Sequence, residues 1–172
     1  MFKLLGAIFL AGGATGYSFC ICRDLKLRLT MLKELKYMYE LIQSEICYTA
    51  LPVLLVFENI SEKVKPPFGR MLKNMVKRAE MDEGKTLTEI WRQAAGEVLA
   101  QIPLTKEQKE SVAGFSESLG MSDKEGQARA LQRKIEEVEN WIIHQEKESS
   151  QQQKLIMSMG IAGGLFLVIL LV

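Results

Sequence analysis

The sequence predicts an all-α protein: a six-helix cytosolic bundle over residues 23–154, flanked by an N-terminal transmembrane helix (residues 1–22) and a C-terminal transmembrane helix (residues 155–172). Three observations predict it. Leu4–Cys22 and Leu155–Val172 are uncharged in a chain that is 25% Asp, Glu, Lys and Arg. Between them apolar residues recur at three and four, the period of a buried helix face. Lys and Arg flank the two apolar stretches unevenly, which sets the sidedness.

Eighteen helical residues rise about 27 Å, against a hydrocarbon core of about 30 Å. Lys3 precedes the first stretch, whereas Arg23, Lys26, Arg28, Lys33 and Lys36 follow it. Lys147 and Lys154 precede the second. The middle therefore faces the cytosol and both termini face the other side. A cleaved N-terminal segment is the alternative, giving a secreted or lipid-anchored envelope protein. Against it, the small-residue pattern at Ala11–Ala14 is weak, and Phe19 suits a lipidated Cys20 poorly.

The first bundle helix carries the stripe Leu25, Leu29, Leu32, Leu35, Tyr39, Ile42 and Ile46 and ends near Tyr48, ahead of Pro52. Pro52 suits the first turn of a second helix running to about Val64. Pro66-Pro67 separates it from a third, Phe68 to about Met81. Thr86 with Glu89 reads as a capping box opening a fourth, with Ile90, Trp91, Ala94, Ala95 and Val98 as its buried side. Thr105 with Gln108 is a second box, opening a fifth helix to Leu119, with Gly120 as its stop. Asp123 caps the sixth, whose stripe is Ala128, Leu131, Ile135, Val138 and Ile142. That stripe serves either a contact inside the bundle or a seam in a homo-oligomer. Gln145–Lys154, without an apolar residue, is either a helical stalk or a flexible linker.

Chemistry-bearing patterns are sparse. The chain has one histidine, His144, placed off the stripe, and its three cysteines show no metal-ligand spacing. No phosphate-binding glycine loop occurs. The sequence therefore predicts no enzyme and no cofactor, a membrane enzyme of unrecognised type being the remaining alternative. Without Lys3 the chain has 21 basic residues against 21 acidic ones, a balance that argues against nucleic acid.

Three groups remain as candidate interaction residues. Lys63, Lys65, Arg70, Lys73, Lys77 and Arg78 lie in a stretch without an acid. They form either a surface for anionic membrane lipid or an acidic partner, or an ordinary solvated face. Gly12 with Gly16, and Gly160 with Gly164, are four apart and allow close helix packing in lipid, within one chain or between chains. The third group lies at two turns. Glu45-Ile46-x-Tyr48 leads into Leu51-Pro52, and Leu119-Gly120 precedes Asp123 and Gln127.

Together with the opening "MFKLLGAIFL", the stretches "SEICYTALP" and "FSESLGMSDKEGQ" resemble the stage III sporulation protein AB family of endospore-forming bacteria, over the whole chain. The resemblance implies a soluble part similar to the cytosolic domain of the inner-membrane platform protein of type II secretion and pilus machines. It implies a place in the mother-cell membrane, in the channel apparatus facing the forespore. The partners it implies are the secretion-type ATPase, stage III sporulation protein AA, and other stage III sporulation membrane proteins.

Overall fold

The computed structural model describes the backbone of residues 2–48, 51–81, 84–119 and 124–171, with side chains for these except residues 2–22, 118–119, 124, 153–154, 156–157 and 159–171. All the regular structure among the described residues is helical. Seven helices follow one another: α1 (Phe2–Tyr48), α2 (Val53–Ser61), α3 (Phe68–Glu80), α4 (Leu87–Leu99), α5 (Lys106–Gly114), α6 (Ser116–Leu119) and α7 (Lys124–Leu171). The six expected bundle helices are present, the fifth being divided into α5 and α6. By contacts the chain forms two compact units, Thr30–Ile142 on the one hand and Met1–Leu29 with Ile143–Val172 on the other.

The terminal apolar stretches are continuous with α1 and α7, and residues 145–154 are helix rather than linker. Among the described residues no helix is long and apolar enough to cross a membrane. The two expected spans fall mostly on residues whose side chains lie outside the described ones. So do the surroundings of Gly12, Gly16, Gly160 and Gly164, whose backbone is helical.

The stripes read from periodicity form the core. Leu32, Leu35, Tyr39, Ile42 and Ile46 of α1 are buried, as are Leu131, Ile135, Val138 and Ile142 of α7; Leu25, Leu29 and Ala128 are half-buried. In α4 Leu99 is buried and Val98 only half-buried, a one-residue change of face from the expectation. Both capping boxes form: Glu89 and Gln108 donate their backbone N–H to the threonine hydroxyls and accept the N–H of Thr86 and Thr105 in return.

Two boundaries differ from those expected. Pro52 is the N-cap of α2, not in its first turn; its ψ of 144° is extended, and its carbonyl accepts the first helical bond, from Val56 at 3.1 Å. α2 stops at Ser61 rather than near Val64, because α3 packs onto the turn that follows. A side chain on Gly69 would run into the carbonyl oxygen of Val64 and lie 2.7 Å from that of Ser61. Only glycine permits that approach.

Trp91 accounts for the division of the fifth helix. Its indole N–H donates to the carbonyl of Val112 at 2.8 Å, in the position where the N–H of Ser116 would continue the helical ladder. Phe115 instead bonds back to Val112 in a tighter turn, at 3.3 Å. Four aromatic rings run through this core, with Phe57 and Trp91 5.8 Å apart, Trp91 and Phe115 5.0 Å, and Phe115 and Tyr39 4.8 Å. They join α2, α4, the α5–α6 junction and α1.

Candidate interaction surface

α1 and α7 run antiparallel through the larger unit, and polar side chains fix their register. Lys36 donates to Glu139 at 3.0 Å, and Gln43 donates to Gln132 at 3.1 Å and to the Ala128 carbonyl at 3.4 Å. Seven residues forward on α1 thus correspond to seven back on α7. Five further residues bring Tyr48 level with Gln127. Tyr48 and Gln127, which belong to the two motifs singled out in the sequence, consequently share one end of this unit. The chain enters the unit at Thr30 and leaves at Ile142, at the other end. Eighteen helical residues separate Thr30 from Tyr48, a rise of about 27 Å.

That far end has exposed apolar side chains. Tyr48 is 88% exposed, Leu51 42% and Leu55 44%, with Pro52 exposed between them. Three large apolar residues are thus open to solvent within eight positions of the chain. Glu45 is half-buried, with Lys63 at 3.6 Å, and Gln127 is half-buried. Leu119 has only its backbone described, and Gly120 and Asp123 lie outside the described residues.

The basic stretch is less uniform in space than along the chain. Lys63 meets Glu45, Lys73 meets Glu62 at 3.2 Å, and Arg78 donates to both oxygens of Glu97 at 2.8 and 3.0 Å. Among the described residues Lys65, Arg70 and Lys77 have no ion-pair partner, and all three side chains are exposed. Glu45 and Glu97 come from other helices, which the local charge run could not reveal, and Glu62 lies immediately before the run. An open groove of about 700 Å³ runs between α2 and α3, lined by Glu58, Asn59, Glu62, Lys73, Val76 and Lys77.

One cluster was not visible in the sequence. Lys134 Nζ donates to Ser111 Oγ at 2.6 Å and to Glu137 at 2.8 Å, and Ser111 Oγ donates to Glu137 at 3.0 Å. A Ser–Lys pair can supply a nucleophile and its base. Here Glu137 accepts from both Ser111 and Lys134, and the cluster ties α5 to α7. His144 is exposed, 3.3 Å from Glu148. Among the described residues no three His, Cys, Asp or Glu side chains come together as a metal site. The free Cys47 is exposed beside Tyr48.

Comparison with known proteins gives a consistent result. The family model described as stage III sporulation protein AB matches residues 3–172. Stage III sporulation protein AB of Bacillus subtilis (strain 168) is 25% identical over 173 residues, covering 99% of each chain. A solved structure of stage III sporulation protein AB superposes with a TM-score of 0.65 at 18% identity, covering 72% of this chain and 97% of that one, a likeness of fold. The family match over residues 3–172 shows that the chain belongs to the stage III sporulation protein AB family.

Proposed function

We propose that this protein is a non-enzymatic, membrane-anchored platform in the secretion-like channel apparatus between mother cell and forespore, where it docks a cytosolic secretion-type ATPase. Family membership supports the sporulation role. The observation that carries the docking reading is the common end of Tyr48 and Gln127, with Tyr48, Leu51 and Leu55 open to solvent and Tyr48 about 27 Å along α1 from where the chain enters its larger unit.

The physical logic is simple. A motor in the cytosol acts on a membrane only through something fixed to it. The apolar ends of α1 and α7 supply the fixing, both termini lying across the membrane from the bundle. Lys36–Glu139 and Gln43–Gln132 tie the two helices together within the larger unit, and the exposed apolar residues lie at the end away from Thr30 and Ile142. Lys65, Arg70 and Lys77, which have no ion-pair partner among the described residues, give anionic lipid a second contact.

One experiment has two arms. Tyr48→Ala with Leu51→Glu loses the ATPase from the purified membrane complex and blocks sporulation, while the circular dichroism spectrum is retained. Arg70→Glu with Lys77→Glu keeps the ATPase and lowers binding to liposomes containing anionic lipid. Retention of the ATPase by the first variant refutes the docking surface, and unaltered liposome binding by the second refutes the lipid contact.

A further inference from the structure

The stripe of α7 does not stop at Ile142. Its alternation of three and four continues through Gln145, Ser149 and Gln152, so the same face turns from apolar to polar without a break in phase. Exposure follows that phase. Gln145 is 3% exposed, and Ser149 and Gln152 are half-buried, while residues 143, 144, 146, 147, 150 and 151 are exposed and Glu148, beside Ser149, is half-buried. Gln145 Nε2 and Ser149 Oγ are both buried without a hydrogen-bond partner. Gln145 stands three positions beyond the Thr30–Ile142 unit, in the unit that α7 shares with Met1–Leu29.

Two orphaned polar atoms one turn apart, on the buried face of a helix, make the packing there weak. Each recovers its hydrogen bonds when water reaches it, so opening relieves a penalty that the apolar layers of α7 do not carry. A polar layer in a helix seam lowers stability and, in exchange, specifies where the seam changes. We propose that Gln145 and Ser149 form a built-in polar layer at which α7 opens first, leaving the core of the larger unit closed. This device is independent of the docking surface at Tyr48 and would survive its failure.

Hydrogen–deuterium exchange on the full-length chain in lipid nanodiscs tests it. Amides of residues 143–152 exchange about ten-fold faster, or more, than those of residues 131–142 in the same helix. Gln145→Leu with Ser149→Ala slows the 143–152 amides to the rate of their neighbours and leaves residues 131–142 unchanged. Equal rates across the two segments of the unsubstituted protein overturn the proposal. So does a double variant that folds and still exchanges at the original rate. Should that variant not fold, Ser149→Ala alone makes the comparison: slowed exchange at 143–152 supports the layer, and an unchanged rate rejects it.

Discussion

Single residues carry constraints that hydropathy does not show. Tyr39 is 1% exposed and packs its ring on Phe115, yet its hydroxyl has no hydrogen-bond partner. Burial, and then the negative charge of Glu137, push the phenol above its ordinary value of 10.0. The folded protein therefore keeps the proton at pH values where the unfolded chain releases it. Stability from this group is complete below pH 10.0 and falls as pH rises beyond it. Tyr39→Phe removes an orphaned donor while keeping the ring. Its stability in urea at pH 7 should match the parent's or exceed it by about 1 kcal/mol, and it should lose less on titration to alkaline pH. A drop of more than about 2 kcal/mol at neutral pH would mean that the hydroxyl has a partner. The stripe made Tyr39 legible as a core residue, but nothing local announced its unpaired hydroxyl.

At the scale of elements, capping and period were readable because both act within a few residues. The two Thr boxes, the stripe of α1 and that of α7 need no knowledge of the rest of the chain. The break between α5 and α6 was not readable, because it depends on Trp91, twenty-one residues before the carbonyl it binds. The end of α2 is another such case, set by α3 packing onto the turn through Gly69. Gly69→Ala puts a methyl against the carbonyls of Val64 and Ser61. It should lower stability by about 1–3 kcal/mol, measured by denaturant midpoint, whereas helix propensity alone would raise it. A stabilised Ala variant would show that the α2–α3 contact yields freely.

At the scale of the whole molecule, the reading of the basic stretch shows what one dimension hides. Lys63 and Arg78 looked unopposed along the chain, but Glu45 and Glu97 meet them from elsewhere in the fold, while Lys73 reaches Glu62 just ahead of the stretch. Conversely, the meeting of Tyr48 with the level of Gln127 could be read only once Lys36–Glu139 and Gln43–Gln132 had fixed the register of α1 against α7. The sequence motifs marked both positions; tertiary structure brought Tyr48 and Gln127 level. The most direct measurement is photo-crosslinking in sporulating cells from a reactive amino acid placed at Tyr48, with Gln151 as the comparison position. The platform reading predicts a product containing the cytosolic secretion-type ATPase from position 48 and none from position 151. No ATPase product at position 48, or equal yield at both positions, would contradict it.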